Sequence, residues 1–275
     1  MAISVTYTCV LEIDRPVVEY LARLLAEHRV ALGTRRGRRA LGPFRHAVLV
    51  LRWFLDATRI RQLARDHQIS RSSAYKYLHE GLLVLAAQAP NLDSALQAAK
   101  DAGHTHLNLD GTLIYTDRCA HRGPNGADLW WSGKHKHHGG NIQVLSAPDG
   151  WPLWVAQVRP GREHDTTCAK AAEGLIDALE RAERHNMPTL TDLGYINLSP
   201  AIRHPFKKPK GGELTEPQKA YNTILRGIHG PAERANSLLK TTFKALRHIS
   251  LDPWKIGRIA KAALVLLQQI HNRTA

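Results

Sequence analysis

The sequence predicts a helical N-terminal domain followed by a mixed α/β domain, and three observations support this fold class. Apolar residues recur at helical spacing in residues 15–32, and helical patterning resumes at Phe44 and continues to about residue 100. From residue 104 onward, short β-branched or aromatic runs are bounded by Gly, Pro, Asp or Asn. Helical segments separate the later runs, as expected for helices that flank a mixed sheet. We therefore place the domains at 1–100 and 101–275.

The charge balance indicates a polyanionic partner. The chain of 275 residues has 38 Lys and Arg against 24 Asp and Glu, so its formal net charge is +14. The basic excess is shared between the two domains. Nucleic acid is the simplest partner with a high density of negative charge. A basic globular protein without such a partner is the alternative.

Cysteine usage and the absence of targeting signals predict an intracellular protein. Cys9, Cys119 and Cys168 are odd in number and far apart, which fits neither a disulfide framework nor a zinc-ligand spacing. The sequence lacks a basic segment followed by an apolar one at its N-terminus, and no run approaches the ~18 apolar residues of a membrane span. We therefore expect a cytoplasmic, nucleoid-associated protein that has no membrane partner.

Residues 59–80 predict a helix-turn-helix within the helical domain. Leu63 and Ala64 face inward on its first helix, and Ser70 is placed to cap the second helix. Hydrogen-bond donors occupy the outward positions at the start of the second helix, where such motifs enter a major groove. These residues are Arg71, Ser72, Ser73, Tyr75 and Lys76. Gln68 stands where many such motifs have glycine, and a structural helix pair with a polar outer face is the alternative.

Two further segments are rich in basic residues. Residues 33–43 contain four arginines among glycines, which predicts either a mobile arm along DNA phosphates or a solvated linker. These arginines are Arg35, Arg36, Arg38 and Arg39. Lys207 and Lys208 lie in a segment typical of an exposed loop, and we expect them to contact phosphates, with a purely solvated loop as the alternative.

The histidine-rich segment GKHKHHGG also carries lysines. Lys134 and Lys136 predict phosphate contacts. His135 and His137 are two residues apart, so on a strand they would share a face and could bind zinc instead. Nearby tryptophans are expected in the core, with stacking on a distorted DNA end as the alternative. They are Trp130, Trp131, Trp151 and Trp154.

Asp110 admits two interpretations. It precedes Gly111 in the apolar run LNLDGTLI, and Asp-Gly between two strand-like segments is a strong signal for a hairpin turn. An aspartate on a buried strand is also a means of presenting a metal ligand in a nuclease. The segment alone does not decide between the two.

Two other carboxylates occupy positions suited to a catalytic site. Asp192 ends the apolar strand in PTLTDLGY, and open α/β sheets place their chemistry at strand ends. Glu233 begins a helix predicted at 231–248, on whose face a row of polar and basic residues follows at helical spacing. The row consists of Ser237, Lys240, Lys244 and Arg247. We expect its basic members to contact DNA phosphates, whereas a simple complement to the helix dipole is the alternative for Glu233.

Five ordered segments together resemble a known family. They are LDGTLIYTDR, WSGKHKHHGGNIQVLSAPDGWPLW, PGREHD, TDLGY and HGPAERANSLLKTTFKALR. They resemble bacterial insertion-sequence transposases of the DDE superfamily endonuclease type, which are related to Harbinger-like elements. The resemblance extends from about residue 40 to the C-terminus. It implies an RNase H-like catalytic domain in which Asp110, Asp192 and Glu233 form the acidic triad.

The resemblance implies a DNA transposase. Such an enzyme binds the terminal repeats of its element, cleaves and joins double-stranded DNA including the target, and works as a homodimer or larger assembly on DNA. The triad would hold two Mg²⁺ ions, with Mn²⁺ as a substitute, which activate the nucleophile and stabilise the leaving oxyanion. A domesticated nuclease without strand transfer and a non-enzymatic helix-turn-helix regulator are the alternatives.

The chain departs from the family pattern near the glutamate. Many relatives carry an arginine a few residues before it, where this chain has His229 and Gly230, so Arg226 or Arg234 is the candidate replacement. Asp165 in PGREHD precedes a predicted helix and is expected to be its N-cap, although the family segment leaves a supporting role in the active site open.

Overall fold

The computed structural model describes residues 10–35, 37–123 and 125–275. Cys9 and Arg36 therefore lie outside the described residues. The chain divides into two compact units, of which the first ends at Val84 and the second begins at Leu85. This division precedes the expected boundary at residue 100, because the helix that follows it packs against elements of the second unit. Among the described residues, no helix combines the length and the apolar character needed to cross a bilayer.

The first unit is helical. Its helices are α1 (Arg15–Ala31), α2 (Pro43–Asp56), α3 (Ile60–Asp66) and α4 (Arg71–Ala86). A proline in the first turn begins both α1 and α2, which suits a position whose backbone N–H has no partner inside the helix. Leu21, Leu25, Leu49 and Phe54 are completely buried where these helices pack.

Helices α3 and α4 form the expected helix pair. Leu63 and Ala64 are buried on α3, as predicted. The Ser70 hydroxyl accepts a hydrogen bond from the backbone N–H of Ser73 at 3.1 Å, so the predicted cap is confirmed. Gln68 in the connection has φ 55°, a left-handed conformation that glycine adopts at less cost. The use of this pair to read DNA stays a prediction.

The basic segment before α2 is partly fixed to the helices. Arg39 donates from Nη2 to both carboxylate oxygens of Glu80, at 2.9 and 2.8 Å, and its guanidinium lies over the ring of Tyr77. The expectation of a mobile arm is therefore wrong for Arg39, because a half-buried ion pair holds it. Arg35 and Arg38 are exposed.

The second unit is a mixed sheet flanked by helices. Its helices are α5 (Leu92–Asp101), α6 (Asp165–Ala171), α7 (Leu175–Arg184), α8 (Glu216–His229), α9 (Ala232–Thr242) and α10 (Ile256–His271). Its strands are β1 (Leu107–Thr116), β2 (Trp131–Ser132), β3 (His137–Ser146), β4 (Pro152–Val155), β5 (Arg159–Pro160), β6 (Thr189–Leu190), β7 (Ile202–Arg203) and β8 (His248–Ile249). This architecture is compatible with an RNase H-like DDE domain.

The central strand β1 has one continuous neighbour and two short ones. Along one edge it pairs antiparallel with β3 from Asn108 to Tyr115. Along the other edge it pairs parallel with β6 at its beginning and with β8 at its end. Between them, residues 109–114 lack a strand partner on that edge among the described residues. Because β1 runs straight through Asp110 and Gly111, the hairpin-turn interpretation of this Asp-Gly pair is wrong.

Apolar residues fill the space between the sheet and its helices. Strand β4 is buried throughout, and α10, which packs against it, buries most of its own length. Trp130, Trp151 and Trp154 are buried, which confirms the core interpretation for these three. Trp131 is 40% exposed.

The helix predicted at 231–248 ends early. Helix α9 stops at Thr242, and Phe243 takes an extended conformation (φ −112°, ψ 95°). A short 3₁₀ turn over residues 244–247 then leads into β8. Lys244 and Arg247 consequently do not continue the row that begins at Glu233, so that prediction is wrong. The reason is packing, because Phe243 is fully buried and the chain must turn there to join β1.

The helix predicted at 165–186 is also divided. Helix α6 ends at Ala171, and α7 begins at Leu175 after Gly174, whose φ is 69°. A left-handed residue cannot continue a right-handed helix.

Candidate active site

Asp110 lies within β1, and Asp192 follows the end of β6, the parallel neighbour of β1. The ladder between β1 and β6 pairs Asn108 with Leu190. The ladder ends there, and two residues further along each segment stand Asp110 and Asp192, whose negative charges interact. The Asp192 carboxylate accepts a hydrogen bond from the backbone N–H of Gly194 at 2.8 Å, which fixes the turn after β6. The strand register therefore brings these two carboxylates together.

Asp165 adds a third carboxylate to this pair. Its side chain accepts a hydrogen bond from the amide of Asn141 at 2.7 Å and lies against Gly111 and Gly194. A β-carbon at position 111 would collide with the Asp165 carboxylate, and one at position 194 would lie 3.4 Å from it. The expectation that Asp165 is the helix N-cap is wrong, because His164 occupies that position and Asp165 begins the helix itself.

The closeness of the three carboxylates affects the pKa of Asp110. Burial, followed by the charges of Asp192 and Asp165, raises the pKa of Asp110 to about 6. Hydrogen bonds from the backbone of Gly111 and the side chain of Asn236 oppose this increase. Carboxylates crowded in a buried site repel one another and favour the protonated form. The cluster thus brings negative charges into unfavourable proximity, and a bound cation would neutralise them.

The three carboxylates also act on the side chain of Tyr195. Its ring is fully buried, and its hydroxyl donates a hydrogen bond to Gln143. Burial raises its pKa well above the usual value, and the charges of Asp165, Asp110 and Asp192 raise it further. The three carboxylates therefore surround one buried phenol.

Helix α9 presents an amide and an amine to β1. The Asn236 amide donates to Asp110 at 2.8 Å, and the Asn236 amide oxygen is buried without a hydrogen-bond partner among the described residues. The Lys240 ammonium donates to the Thr112 hydroxyl at 2.6 Å and to the Leu113 carbonyl at 3.0 Å. Lys240 thus occupies the unpaired edge of β1 beside the carboxylates, where burial lowers its pKa and Asp110 opposes the decrease.

Glu233 lies at the rim of the site. It is exposed in the first turn of α9 and is absent from the charges that raise the pKa of Asp110. His229 lies between Glu233 and the cluster in its electrostatic interactions. Burial lowers the pKa of His229, and the charges of Asp192 and Glu233 partly oppose this decrease. The His229 ring also contacts the Asn108 side-chain oxygen at 3.2 Å. The structure therefore brings Asp110, Asp192 and Asp165 together and places Glu233 farther out.

The β2–β3 hairpin carries two of the expected phosphate-contacting lysines. The Lys134 ammonium lies 3.9 Å from the Asp165 carboxylate and is 72% exposed. Lys136 is exposed at the tip of the turn, with φ 55°. His135 lies in this turn and His137 begins β3, so the two do not share a strand face as the zinc alternative required. The His137 ring instead stacks on Tyr115 at 4.7 Å.

The remaining expected DNA contacts lie outside the acidic cluster. Lys207 and Lys208 are exposed between β7 and α8, where Lys208 pairs with Glu213 at 2.6 Å. In the first unit, Arg71, Ser72 and Lys76 are exposed, and Ser73 and Tyr75 are half-buried. Arg247 is exposed and donates to the Lys240 carbonyl at the end of α9, and Lys244 is exposed beside it.

The residues present suit a divalent cation, although they do not form a closed cage. Among the described residues, no group of three His, Cys, Asp or Glu side chains is arranged to hold a metal ion. The donors are nevertheless carboxylate oxygens, which hard cations prefer. The Asn236 amide oxygen, which is buried without a hydrogen-bond partner among the described residues while the Asn236 amide donates to Asp110, also fits an additional bound species.

Comparison with known proteins gives one family. A family model described as DDE superfamily endonuclease matches residues 109–268, more than half of the chain, and this range includes all four acidic residues of the site. No curated protein and no solved structure matches the chain.

Proposed function

The chain belongs to the DDE superfamily endonuclease family, and we propose that it is a metal-dependent DNA transposase, which cleaves DNA and joins strands. The observation that carries this proposal is the group formed by Asp110 within β1, Asp192 after the end of the parallel strand β6, and Asp165 beside them. Asp110 is half-buried, and the repulsion that Asp192 and Asp165 exert on it favours a site that works with a bound cation.

Four carboxylates would hold the metal ions. Asp110 would do so from β1, Asp192 from the segment after β6, and Asp165 and Glu233 from the first turns of α6 and α9. When bound, Mg²⁺ or Mn²⁺ activates a water molecule or a 3′-hydroxyl group and stabilises the leaving oxyanion of the phosphodiester. Asn236 keeps the Asp110 carboxylate oriented by donating to one of its oxygens.

The charge distribution supports DNA as the substrate. We propose that the α3–α4 pair reads the terminal repeats through Arg71, Ser72, Ser73, Tyr75 and Lys76, because these residues present donors at the start of α4. Lys134, Lys136, Lys207 and Lys208 would contact phosphates from the second unit. These contacts would position the DNA without reading its sequence. A homodimer or larger assembly would bring two element ends together.

Cleavage of supercoiled plasmid with and without Mg²⁺ tests the proposal. We expect the full-length protein to nick the plasmid only with the metal. Asp110→Asn and Asp192→Asn should each lower the nicking rate by about 100-fold or more. The reason is that a bound metal ion stabilises the charged transition state by several kcal/mol. Asp177→Asn, which removes an exposed carboxylate on α7, is the matched control and should leave the rate unchanged. Nicking that survives in Asp110→Asn would exclude this site.

Product analysis separates transposition from simple hydrolysis. A transposase joins a 3′-hydroxyl end of labelled donor DNA to the plasmid, and a nuclease without strand transfer releases only shorter fragments. Labelled plasmid in the presence of Mg²⁺ supports the proposal, whereas fragments alone identify the nuclease.

A further inference from the structure

A cavity of about 550 Å³ opens beside the acidic cluster. One wall follows β1 from Gly111, next to Asp165, to Tyr115. Four residues of extended strand span about 13 Å, so carboxylates lie at one end of this wall and an aromatic ring at the other. The β2–β3 hairpin, residues 161–165 and Lys240 complete the lining. This volume is typical of sites that enclose one small ligand.

The other walls of the cavity are basic. Their cationic or titratable side chains belong to Lys134, His135, Arg162, His164 and Lys240. The Glu163 carboxylate is neutralised by Arg159 through two hydrogen bonds of 2.8 Å. Arg162 is exposed, and among the described residues its guanidinium has no hydrogen-bond acceptor or ion-pair partner. An uncompensated guanidinium in a cavity suits a phosphate group.

The Tyr115 ring belongs to the far end of the cavity. Tyr115 lines it and stacks on His137, with the ring centroids 4.7 Å apart and the planes at 27°. Tyr115 keeps 36% of its surface exposed, although the ring would be more stable if it were covered. Sites for single-stranded nucleic acid combine an exposed aromatic ring, on which a base stacks, with cations that contact the backbone phosphates.

We propose that this cavity holds one nucleotide rotated out of the DNA duplex next to the scissile phosphate. A duplex, whose major groove alone is about 12 Å wide, cannot enter a space of about 550 Å³, but a single base with its sugar and phosphate can. The base stacks on Tyr115, and Arg162 contacts the phosphate. The inference rests on the proposed function, since it places this nucleotide beside the metal-binding carboxylates.

Binding of matched and mismatched duplexes tests the proposal. The probe is a short duplex with one 2-aminopurine, placed opposite thymine in the matched form and opposite cytosine in the mismatched form, with EDTA present to prevent cleavage. Rotating a mismatched base out of the stack costs less than rotating a paired one. We expect the full-length protein to bind the mismatched duplex about 10-fold more tightly and to quench its 2-aminopurine fluorescence by stacking.

Variants test whether the preference for the mismatched duplex arises in the cavity. Tyr115→Ala should bring the ratio of the two affinities close to one and restore the fluorescence, and Tyr115→Phe should keep both effects. Tyr221 is the matched control because it is also 36% exposed and contacts another ring, Phe206, outside the cavity lining. Tyr221→Ala should leave the ratio unchanged. Arg162→Ala should weaken both duplexes equally, because phosphate contacts carry no base information.

The outcomes distinguish the two proposals. Equal affinity of the wild-type protein for both duplexes, with Mg²⁺-dependent nicking intact, overturns the nucleotide site and leaves the proposed function standing. A preference that persists undiminished in Tyr115→Ala also overturns it, because the base then lies elsewhere. A protein that neither binds nor nicks DNA contradicts both proposals.

Discussion

The two units of this protein differ in how exposed the charged side chains are to which we assign a function. In the second unit, Asp110 is half-buried, repelled by neighbouring carboxylates and held by a hydrogen bond from α9. In the first unit, Arg71 and Lys76 are exposed at the start of a helix. Metal-assisted chemistry needs oriented groups in a site of low dielectric constant, whereas DNA reading needs donors that reach outward into a groove. Substitutions should therefore have large effects in the second unit and small ones in the first.

The largest effect is expected at Asp110. A carboxyl group whose pKa is raised on folding stabilises the protein below its unfolded-state value of 3.8, and this contribution is lost as the pH rises through about 6. Without metal, Asp110→Asn should therefore raise the free energy of unfolding at pH 7 by up to about 3 kcal/mol relative to wild type, and have little effect at pH 4. Urea denaturation in EDTA measures this difference, with Asp177→Asn as control. The same change at both pH values would show that charge is not the cause.

The second prediction compares an acid within the cluster, Asp165, with the acid at its rim, Glu233. Asp165→Asn removes a repulsive charge from the cluster, so it should raise the melting temperature in EDTA while it weakens Mn²⁺ binding by about 10- to 100-fold. Glu233→Gln should leave the melting temperature in EDTA unchanged, since Glu233 is exposed and does not perturb Asp110. Thermal unfolding and calorimetric Mn²⁺ titration measure both quantities. A larger loss of Mn²⁺ affinity in Glu233→Gln than in Asp165→Asn would reverse this ranking.

Charge removal in the first unit should affect recognition alone. Arg71→Ala or Lys76→Ala should weaken binding to terminal-repeat DNA by about 10-fold, in line with the loss of one base or phosphate contact. Nicking of unrelated plasmid at low salt should stay close to wild type, because the carboxylates are untouched. Gel-shift titration and plasmid nicking give the two measurements. Parallel loss of both activities would mean that the first unit is not an independent reader.

The smallest effect is expected at Gln68. Its left-handed backbone, with φ 55°, costs about 1 kcal/mol in a residue with a side chain, but glycine loses more entropy on folding. Gln68→Gly should therefore raise the free energy of unfolding by no more than about 1 kcal/mol. Chemical denaturation measures the change, and Gln88→Gly, in the turn after α4, is a comparison. A destabilised Gln68→Gly variant would show that the side chain contributes contacts that outweigh the strain.

Local patterns predicted several elements of the fold. The change from helical to strand periodicity near residue 104 located β1, because side-chain periodicity is a property of the local backbone. Ser70 as a cap followed from its position before an amphipathic helix. Asp192 at the end of an apolar strand identified one member of the acidic pair. Each of these features depends on residues within a few positions along the chain.

Other features required contacts between distant segments. Helix α9 ends because Phe243 enters the core and the chain joins β1 as β8, and helical periodicity carries no information about that packing. Lys240 lies on the expected helix face. Its hydrogen bond to the Leu113 carbonyl depends on the unpaired edge of β1, which is distant in the sequence.

The sequence by itself determined that the chain has a helical part and an α/β part, a basic surface and an Asp-containing strand that resembles those of DDE enzymes. Only the tertiary structure decided which carboxylates meet. Asp165 reaches the cluster because Gly111 leaves room for it and Asn141 on β3 holds it, and these residues are far apart in the sequence. The physical reason is that the repulsion between carboxylates depends on distance and burial, which the folded sheet sets and which local sequence patterns do not contain.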